Sequence, residues 1–209
     1  MTTHTPKNQP NDDTPAERIA KVVAELGEDE VVARATALIA GLNAGEEFLL
    51  AVGGRHAQGI LDGAPPLYWP EVWGARTFLY VWNDSAIPAV LAGLGNQAWR
   101  VREMSAKVVA RRELAYPAEV AVLAADEVAR VRAQAARALG DIGTAEQIDV
   151  LRSLLKDPEI EVRREAGGAL KKLRAKLPAE PRNQAEAQKP AEAQEPAEAE
   201  NDAEAPTEN

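Results

Sequence analysis

Three times in this chain an acidic or amide residue is followed five positions later by Val-Arg and then by small residues. The instances are Asn96 to Val101-Arg102, Asp126 to Val131-Arg132 and Asp157 to Val162-Arg163, spaced by 30 and then 31 residues. Self-similarity at a period near 30 marks an array of like supersecondary units. Each unit in such an array buries its apolar face against its neighbours rather than in one central core.

The likeness extends on both sides of the dipeptide. Counted from the Val as zero, position −14 holds Ile87, Pro117 and Ile148, position −11 holds Val90, Val120 and Leu151, and position −7 holds Leu94, Ala124 and Leu155. These offsets are three and four apart and share one helix face. After the Val, position +4 holds Ser105, Ala135 and Ala166, position +5 holds Ala106, Ala136 and Gly167, and position +8 holds Val109, Leu139 and Leu170. This second face is also helical, with a small middle that lets neighbouring helices approach closely. Each unit therefore reads as a helix A, a tight turn at the Asp or Asn, and a helix B starting near the Val.

The stretches "LAADEVARVRAQAARALGDIG" and "LLKDPEIEVRREAGGALKKL" resemble the HEAT repeat, including its lyase-type variant, over about residues 85–175. The resemblance implies an all-α solenoid of about five antiparallel helix pairs, with helix B lining the concave side. It also implies a structural ladder of hydrogen bonds between repeats, carried here by Asn96, Arg102, Asp126, Arg132, Asp157 and Arg163. The chain departs from the pattern at Asn96, which lacks the charge. It departs again at Gly167, which costs helix B about 1 kcal/mol relative to Ala.

Composition agrees with a helical array, since 45% of the residues are hydrophobic and most of these are Ala, Val and Leu. No cysteine is present, which removes disulfides and thiolate metal sites. Neither a membrane-length apolar run nor the apolar core of a signal peptide occurs, so a cytoplasmic location is the expectation. The net charge of −9 is unevenly spread: residues 1–83 carry 6 basic and 11 acidic groups (−5), residues 84–177 carry 16 and 13 (+3), and residues 178–209 carry 2 and 9 (−7). A surplus of this size falls short of the footprint of a dedicated nucleic-acid binder.

Four segments follow. Residues 1–13 form a polar tail expected to be disordered, and residues 14–83 an irregular helical cap. The repeats occupy 84–177, and residues 178–209 form a Pro/Ala/Glu-rich acidic tail expected to be disordered. Within the cap, Thr14 and Glu17 predict a capping box, with a stripe of Ile19, Val22, Val23 and Leu26 ending at Gly27. A second helix is expected over about 29–42, burying Val31, Leu38, Ile39 and Leu42, and a third over about 46–61. "APPLYWP" reads as an extended loop. "EVWGARTFLYVW" reads as a degenerate helix B with Val72, Ala75, Leu79 and Trp82 on one side, followed by Ser85 as the next N-cap. The total is ten helices in five pairs.

Catalytic machinery is sparse: with only His4 and His56, no multi-His metal site or His-based triad can be assembled. His56 reads as a partly buried helix residue. Gly53-Gly54 reads as a close-packing or kink site, because the spacing and the Lys-Ser/Thr of a phosphate loop are missing. No catalytic residue, metal or cofactor is assigned.

The expected function is a noncatalytic scaffold or adaptor that binds a protein or peptide along helix B through Met104, Lys107, Arg111, Gln134, Arg137 and Arg164. In this reading the acidic tail acts as a tether or a competitor for the basic groups. Trp69 and Trp73 belong to an aromatic cluster that either fills the junction between cap and repeats or anchors a partner. The resemblance also implies an alternative, an enzyme of nucleic-acid repair or chromophore-lyase type using Trp99, Asp126 and the arginines.

Overall fold

A computed structural model describes residues 13–177 as all helical, with eleven α-helices and three short 3₁₀ segments among the described residues. The expectations for residues 1–12 and 178–209 lie outside the described residues.

Capping chemistry opens the chain where the sequence places it. In α1 (Pro15–Leu26) the Thr14 hydroxyl accepts from the Glu17 N–H while the Glu17 carboxylate accepts from the Thr14 N–H. Two N-terminal donors are satisfied reciprocally. Gly27, at φ 82, ends α1 and leads into α2 (Glu28–Ile39). Because α2 stops three residues early, Leu42 is 62% exposed rather than buried.

The single helix expected over 46–61 is two, α3 (Glu46–Gly53) and α4 (Arg55–Leu61). The break is at Gly54, whose φ of 60 and ψ of −139 suit glycine alone. Gly53 packs on Trp73, and a Cβ there would come within 2.5 Å of the indole. The pair thus provides both the close approach and the kink.

Helix α5 (Trp69–Thr77) starts before Glu71 and ends well before Trp82. Past Thr77 the amides of Phe78, Leu79 and Tyr80 bond three residues back, and the Thr77 hydroxyl donates to the Trp73 carbonyl. Branched and aromatic residues from 77 to 82 favour this tightening over a continued helix, which turns Phe78 and Val81 into the core.

Three regular pairs follow: α6 (Ile87–Leu94) with α7 (Trp99–Arg111), α8 (Pro117–Val122) with α9 (Ala129–Ile142), and α10 (Ile148–Leu154) with α11 (Ile160–Lys176). The turn before α6 is capped by Asn83, whose side chain accepts from the Ser85 amide, so Asn83 takes the role expected of Ser85. The repeat Val residues and position −11 are fully buried in all three pairs. Position −7 holds only for Leu94: in the later repeats the end of helix A tightens, so Leu123 and Leu154 turn inward and Leu155 is left 40% exposed.

Helices B stack in the order α5, α7, α9, α11. The degenerate helix B expected before the repeats is therefore α5, and its helix A is α2, which packs against it. The cap is not two further pairs. It is one pair split by the insertion of α3 and α4, with α1 packed on α3.

Candidate functional site on the helix B face

The ladder residues hold the helices that form the face. Asn96, Asp126 and Asp157 each accept, through Oδ1, the amide two residues on, from Ala98, Val128 and Glu159 at 2.8, 2.8 and 2.9 Å. This short turn substitutes for an N-cap side chain at the start of each helix B. Each repeat's Arg then clamps the turn of its own unit: Arg102, Arg132 and Arg163 donate through Nη1 to the carbonyls of Asn96, Asp126 and Asp157 at 2.9, 2.8 and 2.6 Å.

Between repeats the Nε and Nη2 edges grip the next aspartate. Arg102 binds Asp126 at 2.6 and 2.9 Å, and Arg132 binds Asp157 at 2.7 and 2.9 Å. Such bidentate charge-assisted pairs are the strong class of hydrogen bond. The hydrogen bond from Arg132 holds the Asp157 carboxyl below the usual aspartate range against the opposing effect of burial. Burial alone would raise Asp126, but Arg102 and the Val128 amide outweigh it and leave it lowered. Both Asp126 oxygens are thus engaged, Oδ1 by the Val128 amide and Arg102 and Oδ2 by Arg102. Asn96 stands where no ladder arginine precedes it, since the position one repeat before Arg102 is Val72.

Across α5, α7 and α9 runs a groove of about 380 Å³. It brings together Trp69, Trp73, Met104, Lys107, Gln134 and Arg137 from the sequence-predicted set. It adds Arg76, Arg100 and Arg130, so five basic side chains face one carboxylate, Glu103. An adjoining hollow of about 330 Å³ shares Lys107, Gln134 and Arg137 and includes Arg111. Arg164 lines neither; it is exposed and lies 3.4 Å from Glu165.

Two of the expected contact residues do not project. Trp73 is 2% exposed and Gln134 is 4% exposed, so both form floor rather than rim. The Gln134 carbonyl oxygen accepts from Arg137 at 2.8 Å, and the guanidinium of Arg137 also pairs with Glu165 at 3.0 Å. That pairing raises Arg137 and lowers Glu165.

The aromatic cluster is not uniformly buried. Phe78 and Trp73 are core, while Trp69 is half-buried at the groove wall. His56 is exposed rather than partly buried, and its ring stacks on Trp69 with centroids 6.2 Å apart. Arg100 lies between two indoles, 5.3 Å from the Trp69 ring and 4.3 Å from that of Trp99, while its Nε donates to the Tyr68 hydroxyl. Arg130 lies 5.5 Å from the Trp99 ring and pairs with Glu103 at 3.2 Å.

Arg100 and Arg130 carried a readable signal, an Arg directly before the repeat Val, which Glu161 breaks in the third unit. Arg76 carried none, because its place depends on how α5 packs on α7. Among the described residues no group of His, Cys, Asp or Glu is placed to hold a metal. No helix there is long and apolar enough to cross a membrane.

No curated protein matches the chain. Residues 117–182, which include α8 to α11, match a family model described as HEAT repeats. Taken with the period of 30 to 31 residues, the stacked helix pairs and the aspartate–arginine ladder, that match identifies residues 117–182 as HEAT repeats and supports reading the chain as a HEAT-repeat protein.

Proposed function

We propose that this HEAT-repeat protein is a noncatalytic interaction scaffold that holds an acidic segment of a partner protein in the groove across α5, α7 and α9. The observation that supports this reading most is the imbalance of charge along an indole-walled trough, where five basic side chains line the groove and, among the described residues, only Arg130 and Arg137 are paired with carboxylates, those of Glu103 and Glu165. Lys107 and Arg111 are exposed and have no carboxylate partner among the described residues. Charges of this kind steer encounter and orient a partner, and they weaken with salt. The indoles supply area that a bound chain can cover at small entropic cost.

The test is anisotropy of a fluorescein-labelled Glu-rich peptide at low ionic strength. Reversing Lys107→Glu and Arg137→Glu together is expected to weaken binding at least tenfold. The melting temperature should change little, because the pair that Arg137 makes with Glu165 is partly exposed and worth about 1 kcal/mol or less. Wild-type affinity in the double variant would refute the groove as the binding face.

A further inference from the structure

Resting on the reading above, we propose that the part of this groove centred on Arg76, in a lining shared with Arg100 and Lys107, is a subsite for one oxyanion, a side-chain carboxylate of the bound acidic segment. Arg76 projects from α5, lines the groove and donates through Nη2 to the Val52 carbonyl. Its Nε is enclosed and has no hydrogen-bond partner. A buried donor left unmatched is costly, and more so when it belongs to a cation. Burial, and then the like charge of Arg18, push this guanidinium below its ordinary value, although it stays protonated. No carboxylate lies within ion-pair distance of Arg76, Arg100 or Lys107 among the described residues.

Comparison with the other enclosed arginines separates Arg76 from structural ones. Arg102 and Arg132 have their Nε and Nη2 donors filled by aspartates. Arg112 also has an unmatched nitrogen, Nη2, but its Nε donates to the Phe78 carbonyl, its guanidinium lies 5.6 Å from the Trp82 ring, and it does not line the groove. Arg76 therefore combines an unmet donor with a place in the groove wall. Arg100, set between two indoles, is already oriented before anything binds, which reduces the ordering cost of recognition.

Carboxylate and phosphate share the chemistry a guanidinium reads. Two features favour a carboxylate on a peptide over a nucleic-acid backbone. The groove has apolar surface from Val72, Trp73 and Met104 beside the cations. The chain as a whole carries −9, which repels a polyanion at long range more than it repels a short acidic segment.

The full chain is titrated with a fluorescein-labelled (Glu-Ala)₆ peptide, and separately with labelled single-stranded DNA of equal charge. Arg76→Gln is expected to weaken peptide binding at least tenfold while leaving the melting temperature unchanged or higher, since it removes an uncompensated buried charge. Peptide should raise the melting temperature of the wild type and not of Arg76→Gln. Arg100→Gln, at the groove wall, should weaken binding several-fold. Sodium phosphate should displace the peptide more strongly than sodium chloride of equal ionic strength.

If Arg76→Gln binds as the wild type does while the Lys107/Arg137 reversal fails to bind, the subsite is overturned and the wider groove reading stands. If both variants bind as wild type, both readings fall. A large drop in melting temperature for Arg76→Gln, or no selective loss in Arg100→Gln, would assign these residues to structure. DNA binding tighter than peptide binding and dependent on Arg76 would replace the carboxylate with a phosphate and overturn the proposal.

Discussion

Arg102, Arg132 and Arg163 occupy one position of the repeat, yet they do not carry equal loads. Arg132 clamps its own turn and also grips Asp157 of the next unit, whereas Arg163 clamps its turn and has no aspartate beyond it among the described residues. Arg132→Ala is therefore expected to cost about 1.5–3 kcal/mol in urea unfolding, and Arg163→Ala clearly less. Equal losses would mean that the stabilisation lies in the turn and not in the ladder. The depressed Asp157 carboxyl sets the sign of the acid dependence. Its contribution is complete above the unfolded aspartate value of about 3.9 and is lost as pH falls through the lower folded value. Asp157→Asn should accordingly flatten the dependence of the urea midpoint on pH between about 5 and 2. Ser105 makes the opposite case: its hydroxyl is buried without a partner where the later repeats have Ala135 and Ala166. Ser105→Ala should raise stability by about 1 kcal/mol, measured by the same urea unfolding.

At the scale of the helix, one substitution has opposite signs depending on what a new Cβ meets. In α11 a methyl at Gly167 would touch only Leu155 Cδ2 at 3.8 Å, and at Gly168 it would meet nothing within 4 Å. Gly167→Ala and Gly168→Ala should each stabilise by about 0.5–1 kcal/mol through helix propensity. In α9 a Cβ at Gly140 would lie 2.8 Å from the Ala169 Cα, where α9 meets α11, and at Gly74 in α5 it would lie 2.7 Å from the Ala35 carbonyl oxygen. Both contacts are to backbone and cannot give way cheaply. Gly140→Ala and Gly74→Ala should lower stability by about 1–3 kcal/mol. Thermal melts of the four variants check both halves, and a gain at Gly140 would contradict the close contact between α9 and α11.

At the scale of the molecule, helices B meet mainly their neighbours in the stack, so damage should stay local at first. Leu173 is fully buried in α11, and Leu173→Ala should cost about 2–5 kcal/mol. Hydrogen exchange should then show the amides of α10 and α11 losing protection before those of α2, α5 and α7. Uniform loss across residues 13–177 would indicate one cooperative core instead of an array.

The period, the buried faces of the regular repeats, the turn residues and the arginine row were legible in the sequence. They depend on spacing within a helix pair and on one position recurring from pair to pair, and a linear pattern preserves both. The capping box at Thr14 was legible for the same reason, because all its parties lie within four residues. What escaped reading depends on contacts between segments far apart in the chain. The split of 46–61 comes at Gly54, next to the contact of Gly53 with Trp73, and the shortened α5 accompanies the entry of Phe78 and Val81 into the core. Residues on α5, α7 and α9 that are 31 and 61 positions apart, such as Arg76, Lys107 and Arg137, line one groove. The sequence by itself thus determined the repeating unit, since local periodicity decides which face of each helix is apolar. Only the tertiary structure decided how the irregular cap docks on the first repeat. That docking encloses Arg76 with its Nε unmatched, sets Arg100 between Trp69 and Trp99, and turns Trp73 and Gln134 from contact residues into floor.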